Sequence, residues 1–311
     1  MEIKSQDRVT STHYTVAPIT GKGLGLLANQ TLRRGDVVMR QTPALLVHRT
    51  FLEQTPPHRQ NALLDEAVSL LPAPLRELFL SQAGQTSGAA HKVSDILATN
   101  SFQMDLGLRG AGDMDTQHYG NFPEVSRLNH DCRPNVAFRI EPSTLTHVTT
   151  VVRDRVNPGE ELTISYLSAF EPRAARQHRA KLAWGFECSC SQCALPPPLA
   201  EKSDNRLAEI VAIEAKLSDI TTGKREVTPK LLKRLVRLYE EERLDANLAG
   251  AYTLIALNYN MLGDDKNAAK FARLAKEALL IENGDGSGDV GAMEALARNP
   301  REHFTWRRRL S

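Results

Sequence analysis

Three cysteines crowd into six positions, Cys188-Ser-Cys190-Ser-Gln-Cys193, and a fourth, Cys132, stands well upstream of them. Thiols this close in the chain can converge on one ion, and four thiolates around one divalent cation are the usual tetrahedral structural zinc set, with no position left open for catalysis. The plainer reading is three buried or surface thiols with an unrelated fourth. Against it, exposed clustered thiols oxidise readily and a bound metal removes that liability. A second concentration of chemistry runs Ser126-Arg127-Leu128-Asn129-His130-Asp131-Cys132-Arg133-Pro134-Asn135, and a third is Gly159-Glu160-Glu161-Leu162-Thr163-Ile164-Ser165-Tyr166. An isolated Asn-His pair is ordinarily a turn whose side chains satisfy local backbone groups. Asp131, Arg133, Glu160 and Glu161 are read as solvated surface charges, because surface is where such residues usually lie. Near the N-terminus, Gly21-Lys22-Gly23-Leu24-Gly25 is a tight, glycine-rich turn.

These residues need elements to position them. Short apolar runs predict strands at Tyr14 to Ala17, Leu26 to Ala28, Val37 to Met39 and Leu45 to Val47, with turns at Gly21 to Gly25 and Arg34-Gly35-Asp36. From Pro56 to about Phe102 the apolar spacing becomes helical, through Leu63, Leu64, Val68, Leu71, Leu75, Leu78, Phe79, Val93, Ile96 and Leu97. Residues 105–120 are polar and glycine-rich and predict a loop. Strand signals return at Val136 to Ile140, Leu145 to Val152 and Glu161 to Tyr166, with a turn at Asn157-Pro158-Gly159-Glu160. A helix is predicted from Ala174 to Trp184, leading into the cysteine cluster, and Pro196, Pro197 and Pro198 read as a linker. Beyond them everything is helical. Leu207, Ile210, Val211 and Leu217 share a face, Thr228-Pro229 opens a second helix, and Asn247 to Leu262 pairs with Ala268 to Ile281 across a Gly263 turn. That last pair looks like one tetratricopeptide-type hairpin. Arg307, Arg308 and Arg309 read as a frayed terminus.

Composition bounds the class. The 311 residues are 41% apolar, enough for a full core without disulfide help, and a formal charge of +2 is too small to be an electrostatic footprint for nucleic acid. No apolar stretch reaches the roughly 20 residues of a membrane span, and the opening residues lack the apolar core of a signal peptide. The expectation is a soluble, intracellular monomer that binds neither membrane nor nucleic acid directly.

In order, GKGLGLLA, the Asn100-Ser101-Phe102 segment, NHDCRPN, GEELTISY and FECSCSQC resemble the SET-domain methyltransferases, and most of all the SET-and-MYND branch. The insert between Phe51 and Val93 holds no cysteine, so the MYND zinc finger of that branch is missing. The resemblance implies an α+β fold: a β-rich SET domain with a pseudoknot crossing, a helical insert, a post-SET zinc site and an all-α C-terminal domain. The implied boundaries are 1–50 for the first part of the SET domain, 51–98 for the insert, 99–170 for its second part, 171–198 for the zinc segment and 199–311 for the helices. It further implies transfer of methyl from S-adenosylmethionine to a protein lysine, in the nucleus or cytoplasm. Lys22, Gly23, Leu24, Gly25, Asn100, Asn129, His130, Tyr166 and Phe186 are implied at the cofactor, with Tyr166 as the catalytic residue. Phe138 and Ile164 are implied as the lysine channel wall, and Cys132, Cys188, Cys190 and Cys193 as the zinc ligands. Other readings stay open: a weak or silent SET domain whose C-terminal helices recruit a protein partner, or methylation of a small-molecule amine.

Overall fold

The computed structural model of the chain describes residues 12–85, 90–106, 116–221, 223 and 225–310. In chain order the first elements are β1 (Tyr14–Ile19), β2 (Gly23–Ala28), β3 (Leu32–Arg33), β4 (Val37–Gln41), β5 (Leu45–His48), α1 (Arg49–Gln54), α2 (Pro57–Ser69), α3 (Ala73–Leu80), α4 (Lys92–Asn100), β6 (Ser101–Asp105) and β7 (Gln117–Asn121). There follow β8 (Asn129–His130), β9 (Val136–Glu141), β10 (Thr146–Val151), β11 (Arg155–Val156), β12 (Glu161–Ile164), α5 (Arg173–Trp184), α6 (Pro197–Ser218), α7 (Pro229–Glu242), α8 (Leu248–Met261), α9 (Asp265–Glu282) and α10 (Gly288–Arg298). The described residues fall into two compact units. One holds the chain up to Asn129 together with Ile140–Thr163, and the other holds His130–Arg139 together with the chain from Ile164 onward.

In the first unit β1 and β2 form an antiparallel hairpin in register from Tyr14 opposite Ala28 to Ile19 opposite Gly23. Its turn needs left-handed backbone at Gly21 (φ 74°) and Gly23 (φ 75°), which glycine adopts without a steric penalty. On the other side of β2, Leu162 of β12 lies opposite Leu26. β4 pairs with β10, β3 with β11, and β7 is flanked by β5 and β6. The helical insert packs Leu64, Val68, Phe79, Val93 and Ile96 against Val47 of β5. The helical pattern stops at Asn100, and Ser101–Asp105 is a strand. Of the expected loop over 105–120, Gln117–Asn121 is also a strand, paired along its length with β6, while residues 107–115 lie outside the described residues.

The second unit is built on helices whose leucines recur at helical spacing. α7 begins at the Thr228 cap, whose side chain accepts the Leu231 N–H, with Pro229 in the first turn, where a missing N–H costs nothing. It buries Leu232, Leu235 and Leu238, each worth roughly 1.5–3 kcal/mol of burial. α8 is apolar all round and touches α6, α7 and α9, which is why it lacks a polar face. Gly263 (φ 78°) turns the chain from α8 into α9. Pro196 to Pro198 are no linker: Pro196 caps α6 and Pro197 and Pro198 form its first turn. On α6 the buried face is Leu207, Ile210, Ile213 and Leu217, and Val211 points to solvent at 49% exposure. The terminal arginines are not frayed either. The Arg309 side chain is buried and donates to Asn258 Oδ1 (2.9 Å) and to the carbonyls of Leu217 (2.8 Å) and Asp219 (2.9 Å), which lie at the end of α6 and just beyond it.

Candidate functional site

In the first unit the glycine turn, Asn129 and Glu161 meet. Lys22 Nζ lies 2.7 Å from Glu161 Oε2, and Asn129 Nδ2 donates to Glu161 Oε1 at 2.8 Å and to the Leu24 carbonyl at 3.2 Å. A Cβ on Gly25 would come 2.6 Å from Ile19 Cγ1 and 2.8 Å from Asn129 Nδ2, so this glycine is required by its protein neighbours. At Gly23 a Cβ would meet nothing within 4 Å, and the positive φ is what favours glycine there. Leu24, between them, is exposed. Asn100 takes no part in this cluster: its amide donates to the carbonyls of Ala83 (2.7 Å) and Ile96 (2.8 Å) and closes α4. Next to it, the Ser101 hydroxyl is buried and, among the described residues, finds no hydrogen-bond partner.

In the second unit the four cysteines come together, all buried, with their sulfurs within 4.8 Å of one another. Cys132 Sγ lies 4.0 Å from Cys188 Sγ and 3.6 Å from Cys193 Sγ. Four sulfurs each about 2.3 Å from a tetrahedral centre sit about 3.8 Å apart, so these distances fit such an ion. The bond with Cys188, and after it those with Cys190 and Cys193, push the Cys132 thiol up, while the bond with Cys132 draws Cys190 down. Thiols this crowded divide their protons unequally, and a divalent cation would deprotonate all four. Helix α5 holds the loop. Gln177 accepts the Cys188 N–H at 2.8 Å and donates to its carbonyl at 2.7 Å, and one turn earlier Arg173 donates to the carbonyls of Cys193 (3.3 Å) and Leu195 (2.8 Å).

His130 joins this cluster to Tyr166. Its Nδ1 lies 3.0 Å from the Tyr166 backbone nitrogen, which can only donate, so Nδ1 accepts. The neutral ring therefore carries its proton on Nε2, 3.4 Å from Cys132 Sγ, as a donor to sulfur. Around Tyr166 stand three more rings: His130 and Trp184 at 5.3 Å between centroids and Phe186 at 6.4 Å, with Phe186 also packed on the cysteines. Ile164 is buried and its carbonyl accepts the Asp131 N–H at 3.0 Å. Phe138 is 36% exposed, whereas Val136 on the same strand is fully buried.

Several participants were not legible from sequence. Glu161 links Lys22 to Asn129, where a solvated charge was expected. Arg133 is buried, not on the surface, and its guanidinium lies 2.7 Å from Glu242. Asp131 accepts the Arg133 N–H at 2.8 Å, an Asx turn. Trp184 carries no motif of its own. Its closeness to the cysteine cluster in sequence was the one available signal.

A family model described as the SET domain matches residues 23–167. Histone-lysine N-methyltransferase set5 of Schizosaccharomyces pombe is 24% identical over 292 residues, which cover 93% of this chain and 85% of that protein. N-lysine methyltransferase SMYD2 of Homo sapiens is 35% identical over 83 residues, 26% of this chain and 18% of that protein. Histone-lysine N-methyltransferase SET5 of Eremothecium gossypii is 33% identical over 69 residues, 22% of this chain and 14% of that protein. The chain thus spans most of the first relative's length and a short part of the other two. A SET domain defines the class. Residues 23–167 match the SET domain, and the chain is similar to protein-lysine methyltransferases, those of the SMYD type among them.

Proposed function

We propose that the chain transfers methyl from S-adenosylmethionine to the side-chain amine of a lysine in a protein, histone or other, with Tyr166 at the reacting nitrogen. The observation that carries this reading is Tyr166 itself, fixed by its backbone to His130 and ringed by His130, Trp184 and Phe186. Aromatic faces attract cations that carry apolar groups, which suits a sulfonium, and rings that exclude water disfavour the ammonium form of an incoming lysine. When bound, S-adenosylmethionine supplies an electrophilic methyl group on sulfur. Gly23, Leu24 and Gly25 with Lys22, Asn100, Asn129, His130, Tyr166 and Phe186 would hold it. Displacement at a methyl group needs alignment and a neutral amine more than an acid and base pair. The Tyr166 hydroxyl would orient the amine, and Phe138 and Ile164 would wall its path.

Zinc bound by Cys132, Cys188, Cys190 and Cys193 completes the reading, as a structural ion in a closed four-sulfur set. The sulfur spacing and the His130 N–H directed at Cys132 support it. The domain boundaries, the pseudoknot crossing and action in the nucleus or cytoplasm are proposed with it, as is a protein docked on the C-terminal helices. The names of the relatives favour a protein substrate over a small-molecule amine. The test is an intact-mass survey of core histones and other candidate proteins incubated with the enzyme and S-adenosylmethionine. A gain of about 14 Da per methyl, the mass of the added CH2, localised to lysine, is expected; no mass change in any protein, with small amines methylated instead, overturns the substrate class.

A further inference from the structure

Glu242 closes α7 with a side chain that is 0% exposed, and donors surround it. Arg133 NH2 lies 2.7 Å from Oε2, Ser203 Oγ donates to the same oxygen at 2.7 Å and Gln192 Nε2 at 3.2 Å, while Arg206 Nε donates to Oε1 at 2.6 Å. Burial by itself would push this carboxyl up, but the bonds from Arg133, Ser203 and Arg206 outweigh it and hold the group below the usual carboxylate range. The donors come from separated stretches of chain. Arg133 follows Cys132, Gln192 sits between Cys190 and Cys193, and Ser203 and Arg206 lie on α6. Arg133 also donates through NH1 to the Cys132 carbonyl at 2.7 Å.

A buried carboxylate is an expensive way to hold helices together, and leucines at 232, 235 and 238 already do that along the same helix. What a leucine cannot do is fix the direction of two donors, each adjacent in the chain to a sulfur ligand. We infer that Glu242 is a positioning residue for the site: it sets the backbone at Cys132 and in the Cys190–Cys193 turn, and through Cys132 the His130 ring that receives the Tyr166 N–H. The C-terminal helices are then part of the scaffold of the site as well as a surface for partners. This inference rests on the reading of the cysteines as a metal set and of Tyr166 as the reacting residue.

The test compares two variants of the full chain, Glu242→Gln and Leu235→Ala. Both remove a buried interaction from α7, and only the first touches the donors. Hydrogen exchange is expected to be at least about tenfold faster in Glu242→Gln across residues 130–135 and 191–193, and near wild type there in Leu235→Ala. Loss of zinc to a chelator should also be roughly tenfold faster in Glu242→Gln, within the range that groups supporting metal ligands usually command. Cobalt substituted for zinc should show an altered ligand-field spectrum in Glu242→Gln alone. If Glu242→Gln does not fold, Ser203→Ala, which removes one donor from the carboxylate, takes its place with the same expectations. Exchange in residues 130–135 that matches Leu235→Ala overturns the inference, whatever the activity. A wild-type protein without zinc would overturn the metal reading instead, and exchange alone would then decide the role of Glu242.

Discussion

Tyr166 presents two different handles, a backbone N–H given to His130 and a ring set among aromatics, and substitution can separate them. Tyr166→Phe keeps the ring and the backbone bond and removes only the hydroxyl. Loss of one oriented polar contact made mainly in the transition state typically costs about 2.7–4 kcal/mol, or a factor of roughly 100–1000 in rate. The expected result is that fall in kcat with S-adenosylmethionine affinity within a few-fold of wild type by calorimetry. His130→Ala should instead weaken cofactor binding and loosen the cysteine cluster, because its ring spans Cys132 and Tyr166. A Tyr166→Phe enzyme with near-normal turnover would remove the hydroxyl from the mechanism. Cys132→Ser is expected to lose bound zinc in metal analysis, since three sulfurs cannot close the set. Full zinc content in that variant would detach Cys132 from it.

At the scale of elements, α5 is what shapes the cysteine loop. Residues 173 and 177 lie one turn apart on one face, and Gln177 grips Cys188 by both its N–H and its carbonyl. Gln177→Leu removes both bonds and fills similar space, so zinc affinity is expected to fall roughly 10–100-fold while the melting temperature changes little. A zinc site of wild-type affinity in this variant would mean that the loop holds itself. Elements announced by local chemistry were legible in the sequence, such as the Thr228-Pro229 start of α7, the Gly263 turn and the helix before the cysteines. Those decided by distant partners were not. Gln117–Asn121 is polar and becomes a strand because β5 and β6 flank it, and three prolines that read as a linker fit a helix start equally well. The candidate site divides in the same way. Its cysteines and its NHDCRPN and GEELTISY segments stand out by residue type and order, whereas Glu242 looks like any glutamate at a helix end until Arg133, 109 residues away, is brought to it.

For the whole molecule, charge matters more through burial than through the net value of +2. No described helix is long and apolar enough to cross a membrane. Acid should weaken the fold early, and His147 is the reason. It is fully buried on β10, with Phe102 at 5.0 Å and Phe122 at 5.2 Å between ring centroids, and burial pushes its imidazole down to about 3. Unfolding returns it to an ordinary value of about 6.5, so between those values the unfolded chain binds a proton that the folded chain refuses. The stability contributed by the neutral ring is thus present above about pH 6.5 and is lost as pH falls toward 3. Between pH 7 and pH 5 the loss is about 2 kcal/mol, a large share of a typical folding free energy. His303 is lowered by burial as well, but it is only partly buried and its shift is smaller. Glu242, held below the usual carboxylate range, adds its own loss only in more acid solution, as pH falls below about 4.5. Denaturant unfolding of the wild type should therefore show stability falling by that amount from pH 7 to pH 5. In His147→Leu, a substitution of apolar character suited to its two phenylalanine neighbours, most of that slope should disappear. A slope of equal size in the variant would place the acid-sensitive group elsewhere in the fold.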